Sequence, residues 1–303
     1  MKCHFPKLPT DAKALRLYVA EQDADFESRL QDLSERIASS SELKLIGLTG
    51  PTCAGKTTAA KKLTAALEQH GHRVHVISID DFYYDKEILQ KRADDDPDIE
   101  IDYDSEDTID ISLLTEKTKS LLKGDPTQMP RFDFPSGCRL QGQLLDPDPT
   151  DVFLFEGIQL LYPKIHAILN GPSYHCIYIC ASSAIELNGV RFEPNEIRLM
   201  RRLVRDYRYR ASKPDFTLYL WQSVRANEEK NIFPNAHRCH DVIDSTMPYE
   251  IGMLKPYLEE ILLQMEPSSP YFGQAEALLD KLRSVSAVPS EYMTENSLYK
   301  EFI

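Results

Sequence analysis

The 303-residue chain contains no apolar run approaching the roughly 18 residues that a membrane-spanning helix requires. Pro6 and Pro9 stand where a secretion signal would need its apolar stretch. The six cysteines (Cys3, Cys53, Cys138, Cys176, Cys180 and Cys239) show no C-x-x-C spacing, which excludes a cysteine-type zinc site and points to free thiols in a reducing compartment. Base is scarce as well. With 35 Lys and Arg against 48 Asp and Glu, the net charge of −13 argues against a nucleic-acid binder dominated by phosphate contacts. No repeat period is visible, and 42% hydrophobic with 27% charged residues is the composition of an ordinary globular chain. The expectation is a soluble, cytoplasmic protein with no nucleic-acid and no membrane partner; whether it forms a homo-oligomer is left open.

The charge is unevenly spread. Residues 80–110 hold 14 acids and 3 bases, whereas residues 191–210 hold seven arginines and three acids. Such runs are ordinarily solvated faces, unless a motif gives them work. Leu15, Tyr18, Val19, Phe26, Leu30, Leu33 and Ile37 recur at near-helical spacing and predict one or two amphipathic helices ahead of residue 42. The run Lys44–Thr49 predicts a strand, Lys56–His70 a helix stopped by Gly71, and Arg73–Ile79 a second strand, which together make a βαβ unit. Further strands are expected at Val152–Phe155, His175–Ala181 and Asp241–Asp244. Helices are expected at Ile111–Lys123, Asn195–Arg210, Leu218–Glu229, Pro256–Met265 and Ala275–Ser284. Alternating strands and helices imply a mostly parallel sheet covered on both faces, the α/β class. The expected organisation is an N-terminal helical extension (1–41), a P-loop domain (42–250) and C-terminal helices with a tail (251–303).

Gly50-Pro51-Thr52-Cys53-Ala54-Gly55-Lys56-Thr57 fits G-x-x-x-x-G-K-[ST] without a mismatch, between a predicted strand and a predicted helix. Glycines let such a loop wrap phosphates with its backbone N–H groups, and the helix that follows offers its positive end to the same anion. Lys56 would reach the β- and γ-phosphates and the Thr57 hydroxyl would bind Mg²⁺, with Thr58 completing the ATP-binding segment. An N-K-x-D guanine reader and an L-S-G-G-Q element are both missing, which sets aside a GTP switch and an ABC-type ATPase.

A small-molecule kinase needs a base, a carboxylate for Mg²⁺ and arginines over the phosphates. Asp80, at the end of the second strand in Ser78-Ile79-Asp80-Asp81-Phe82-Tyr83, is the candidate base and a further Mg²⁺ group. Glu156, ending Phe153-Leu154-Phe155-Glu156-Gly157, is the candidate carboxylate for Mg²⁺, direct or through water. Arg198, Arg201, Arg202 and Arg205 fall on one side of a predicted helix, and a mobile basic stripe of this kind suits a lid at about 191–215.

Together these motifs resemble the uridine kinase and phosphoribulokinase-like branch of P-loop kinases, from about Leu43 to about Asp244. The resemblance rests on the P-loop, Ser78–Tyr83, Tyr103-Asp104-Ser105-Glu106-Asp107, Pro130-Arg131-Phe132-Asp133-Phe134 with Arg139, and Phe155-Glu156-Gly157 followed by Arg198–Arg210. It implies a fold with a P-loop, an Arg-rich lid and added terminal helices, and an ATP- and Mg²⁺-dependent transfer to the 5′-hydroxyl of a nucleoside, uridine or cytidine first. It further implies that Asp80 is the base, that Asp104 holds the ribose, and that Tyr83, Tyr103 and Phe132 pack around the nucleoside with Arg139 on the same side. Arg202 would contact the acceptor, and Arg205 and Arg210 the ATP phosphates, with Lys56 and Arg205 assisting catalysis. Two positions depart from the pattern: Gly137 replaces a base-reading His, and Leu220 or its neighbour Trp221 replaces a Gln. Another alcohol, such as a sugar phosphate, and a catalytically silent nucleotide-binding regulator are therefore the competing expectations.

Overall fold

The computed structural model describes residues 2–40, 42–95 and 105–303. In chain order its elements are β1 (Cys3–His4), α1 (Ala12–Ala38), β2 (Leu45–Thr49), α2 (Lys56–Gln69), β3 (Val74–Ser78), α3 (Lys86–Asp95) and α4 (Ile111–Lys123). There follow β4 (Thr127–Asp133), β5 (Cys138–Leu145), β6 (Val152–Glu156), α5 (Pro163–Leu169), β7 (Tyr174–Cys180), β8 (Ala184–Leu187) and β9 (Val190–Phe192). The chain continues with α6 (Pro194–Arg210), α7 (Pro214–Asn227), β10 (Asp241–Asp244), α8 (Glu250–Leu262) and α9 (Phe272–Arg283).

Five strands form a parallel sheet in the order β10-β7-β2-β6-β3. Every residue of β2 is buried, because helices cover both faces, and this is why the strand reads as a continuous apolar run. Alternate side chains serve opposite cores. Ile46 and Leu48 face a cluster with α1, α2, α6, α8 and α9, while Leu45, Phe153 and Phe155 face one with α4 and α5. Strand β3 lies at an edge, and its Val76 is exposed. Because β6 inserts between β2 and β3, Glu156 lies in register beside both Leu48 and Ser78. The carboxyl ends of these three strands therefore converge, at the kind of crevice where open parallel sheets bind ligands.

Two regions depart from the expected course. β4 and β5 pair as an antiparallel hairpin, whose strand character is masked in the sequence by Pro130 and a register shift between Gln128 and Pro130. The acidic stretch after β3, for which no element is expected from the sequence, includes helix α3, Lys86–Asp95. Elsewhere α8 begins earlier than expected, at Glu250, and carries Pro256 in its interior. The segment ahead of the P-loop is one helix, α1, capped at Asp11, whose side chain accepts from the Ala14 N–H at 2.9 Å. All six cysteines are free thiols. No helix among the described residues is long and apolar enough to cross a membrane.

At the opposite end of the sheet, Asp151 is buried at the entry to β6. Burial alone would raise its pKa, but the Arg73 guanidinium, the Asp148 N–H and His75 override this and hold it at about 2. A carboxylate depressed from about 3.9 stabilises the fold at every pH above that value and loses its contribution as pH falls through its folded pKa. Asp151 should thus supply about 2 kcal/mol that disappears between about pH 4 and pH 2. Chemical denaturation from pH 5 to pH 2 should show Asp151→Asn with a flatter acid slope than the parent chain.

Candidate active site

The loop Gly50–Thr57 leaves β2 and enters α2. At Gly50 a Cβ would stand 1.9 Å from the Ile179 carbonyl oxygen, so only glycine lets the loop pass this close to β7. Cys53 adopts φ +56°, a left-handed conformation that costs a non-glycine residue energy and is held here by its surroundings. The Lys56 Nζ donates to the carbonyls of Gly50 and Pro51, each at 3.0 Å, closing the lysine over its own loop. Burial holds the Lys56 ammonium below the usual lysine range, against an opposing pull from Glu156, Glu301 and Asp80. Thr57 is exposed at the mouth of the loop, and Thr58 donates from its N–H and hydroxyl to the Glu301 carboxylate at 3.1 and 3.0 Å.

Across the strand ends, Glu156 accepts from the Ser78 hydroxyl at 2.9 Å. Burial pushes its carboxyl up, against the lowering effect of Lys56. Asp80 sits in a short 3-10 turn, Ile79–Phe82, immediately after β3. Its Oδ1 accepts from Gln159 Nε2 at 2.7 Å. The same amide nitrogen lies 3.0 Å from the Tyr83 hydroxyl, while Gln159 Oε1 is buried without a partner among the described residues. Neighbouring Asp81 plays a different part: its Oδ1 accepts the Phe132 N–H at 3.0 Å and ties the β4–β5 hairpin to this turn.

That hairpin is docked along residues 81–86. Asp85 accepts the Arg139 N–H at 2.6 Å, and the Gly137 carbonyl accepts the Lys86 N–H at 2.9 Å. Phe132 and Phe134 meet edge to face at 78° with centroids 5.2 Å apart, and Tyr83 lies 5.5 Å from Phe132. With Tyr84, Lys86 and Leu89 they line a pocket of about 390 Å³. Gly137 adopts φ +69°, and a Cβ there would meet the Lys86 side chain at 2.3 Å. Lysine carbons thus fill the place a side chain at 137 would need. Arg139 is neutralised by Asp110, at 3.0 Å.

Helix α6 carries the arginines, but they do not form one free stripe. Arg198 and Arg201 point into the core and are fully buried, paired with Glu228 at 2.5 and 2.7 Å and with Glu250 at 2.8 and 3.0 Å. Each also donates to a backbone carbonyl of the P-loop, Arg198 to Thr52 and Arg201 to Cys53, both at 3.2 Å. The i, i+3, i+4 spacing gave the face correctly; the burial followed from acids 30 and 49 residues further on, which local spacing does not reveal. Arg202, Arg205 and Arg210 instead gather on Asp206, at 3.2, 2.7 and 3.6 Å. Trp221 packs beneath the Arg198 guanidinium, 5.4 Å from it, rather than lining the aromatic pocket. Tyr103 and Asp104 lie outside the described residues.

Four side chains at this site were not anticipated: Gln159, Phe134, Lys86 and Glu301. For Gln159 a signal existed, because it is a polar residue inside the otherwise apolar run Ile158–Leu161, three positions after Glu156. Glu301 carried none.

Residues 45–251 match the model of the phosphoribulokinase/uridine kinase family. A uridine kinase of Staphylococcus aureus is 30% identical over 180 residues, which cover 59% of this chain and 76% of the relative. Among solved structures, a "possible uridine kinase" from Bacillus stearothermophilus aligns with 73% of this chain and all of its own, at 18% identity and a TM-score of 0.46. A D-glycerate 3-kinase from Cryptococcus neoformans aligns with 51% of this chain and 54% of its own, at 22% identity and a TM-score of 0.32. The family match spans more than half the chain and takes in the P-loop, both carboxylates, the aromatic hairpin and the arginine helix: the chain belongs to the phosphoribulokinase/uridine kinase family of ATP-dependent small-molecule kinases.

Proposed function

We propose that the chain transfers the γ-phosphoryl group of ATP to a hydroxyl of a nucleoside, with uridine or cytidine as first candidate and Asp80 as the base. The observation that carries this reading is the link Asp80–Gln159–Tyr83, which sets a carboxylate at the edge of an aromatic pocket. Aromatic walls suit a flat base, and a carboxylate at their edge is where a hydroxyl of the bound sugar would arrive.

In this reading the P-loop N–H groups and Lys56 hold the β- and γ-phosphates, and Thr58 completes the cradle at the start of α2. Thr57, Glu156 and Asp80 would hold Mg²⁺. A hydroxyl with one or two carboxylates is the donor set this hard cation takes beside substrate phosphates, and Glu156 stands in register beside Leu48, at the end of the strand that leads into the loop. The ion would supply neutralisation of charge on the transferring group. Gln159 donates to one Asp80 oxygen and leaves the other for the acceptor hydroxyl, so it positions the base without touching the reacting atoms. Arg205 and Arg210 would move from Asp206 onto the phosphates as the end of α6 closes, with Arg202 nearer the acceptor. Phe132 and Tyr83 would clasp the base, Arg139 would brace the hairpin through Asp110, and Tyr103 and Asp104 would complete the acceptor side.

A second reading rests on Lys86, a cation lining the same pocket, whose wall has no carboxylate among the described residues. That favours an acceptor bearing its own negative charge, such as a sugar phosphate. A panel of nucleosides and phosphosugars, assayed by ADP release with parent and Lys86→Met enzymes, separates the two. Nucleoside turnover, changed less than about threefold by the substitution, is the expected result. Turnover of a phosphosugar alone, reduced tenfold or more by Lys86→Met, would replace the nucleoside reading.

A further inference from the structure

We propose that residues 297–303 form an autoinhibitory strap over the phosphate loop, in which the Glu301 carboxylate takes the place of a nucleotide phosphate on Thr58. The inference rests on the reading of Gly50–Thr58 as the nucleotide site.

One oxygen of Glu301 accepts both the Thr58 N–H, at 3.1 Å, and the Thr58 hydroxyl, at 3.0 Å. These donors belong to the first turn of the 14-residue α2, where the helix presents its positive end and an anion is stabilised. A carboxylate oxygen there uses the donors that a phosphate oxygen would need, and the two cannot share them. Glu301 also lies within electrostatic reach of Lys56 and Arg205, as a bound triphosphate would.

The rest of the segment is built to hold that carboxylate in place. Leu298 packs directly on Gly55 of the loop, where a Cβ would meet its Cδ1 at 2.5 Å. The Tyr299 hydroxyl accepts from Arg201 Nε at 3.0 Å, and Phe302 lies 5.2 Å from the same guanidinium. Leu298, Tyr299 and Phe302 are each buried. The root of the strap is bolted separately: buried Asp23 of α1 accepts from the Thr294 N–H and hydroxyl and from the Ser297 hydroxyl at 3.2, 2.8 and 3.1 Å. A fixed root and a distal acidic tip over the loop make a flap whose tip can leave without the root moving. A nucleotide then pays for displacing Glu301, and its apparent affinity falls by the fraction of molecules with the tip released.

Equilibrium titration with ATP in EDTA, which suppresses turnover, tests this on the full chain and on its Glu301→Gln and Glu301→Ala variants. Wild-type binding establishes the nucleotide site independently of the strap. Losing one charge-assisted contact should tighten binding about tenfold in the Ala variant and somewhat less in the isosteric Gln variant. In the parent chain ATP should speed hydrogen exchange at the Phe302 and Ile303 amides, which donate to the Tyr299 carbonyl. Affinity that is unchanged or weaker in both variants while the parent chain binds overturns the strap and leaves the nucleotide site standing. Binding by the variants alone supports the strap in its strongest form. Absence of binding by all three overturns the nucleotide-site reading, and the strap with it.

Discussion

Asp80→Asn should lower turnover about 10³-fold while leaving the affinity for ATP within about twofold, because general-base assistance typically accounts for 10²- to 10⁴-fold. The substitution removes the proposed proton acceptor but keeps a side chain of the same shape beside Gln159, whose Nε2 can still donate to the amide oxygen. A loss confined to kcat would mark an interaction made in the transition state, in contrast to Lys56→Ala, which should weaken ATP binding and turnover together. Gln159→Leu should fall between: it keeps the carboxylate and removes the donor that orients it, at a cost of about tenfold in kcat. Steady-state assays with ATP titrations on the three variants give the comparison. Turnover by Asp80→Asn equal to the parent enzyme would remove Asp80 from the mechanism.

The second large effect is expected in a buried ion pair behind the phosphate loop. Glu250 and Arg201 are both fully buried and bonded twice to each other. Removing one member of a buried pair strands the other charge without water, which typically costs about 3–5 kcal/mol. Glu250→Gln should therefore lower the thermal midpoint by about 5–8 °C in a chain of this size. Replacing both residues with Met should recover much of that loss, since an apolar pair of similar volume costs no desolvation. Recovery of stability without recovery of ATP affinity is the more informative outcome, because Arg201 also holds the Cys53 carbonyl. Calorimetry paired with ATP titration reads both. A midpoint within about 2 °C of the parent chain in Glu250→Gln would show that the pair contributes little.

What could be read from the sequence follows from the range of each interaction. The P-loop, the two carboxylates and the parallel sheet were legible, because each is encoded within about ten residues: a glycine pattern, an acid closing an apolar strand, a buried strand with no polar face. Helix α4 was legible to the residue, with Asp110 capping its start and Gly124 in the left-handed region at its end. The β4–β5 hairpin was not, because Pro130 and the register shift break the alternation by which a two-sided strand is recognised. The partition of the arginine helix was hidden for another reason. Seven arginines in twenty residues announce a basic surface, and only the placement of Glu228 and Glu250 turns two of them inward. The contact between Thr58 and Glu301 bridges 243 positions, beyond any local signal.

The packing of Lys86 against Gly137 bears on how substrate preference can drift over evolutionary time. A reading side chain at position 137 would have to abandon a positive φ and also find its volume free of the Lys86 stem. The two obstacles differ in weight: the Lys86 stem is flexible and exposed and can swing aside, whereas the left-handed backbone at 137 strains any residue but glycine. A larger residue at position 137 is therefore resisted by the backbone more than by its neighbour. Substitution is less constrained along the exposed flank at Phe134, where no left-handed backbone has to be kept.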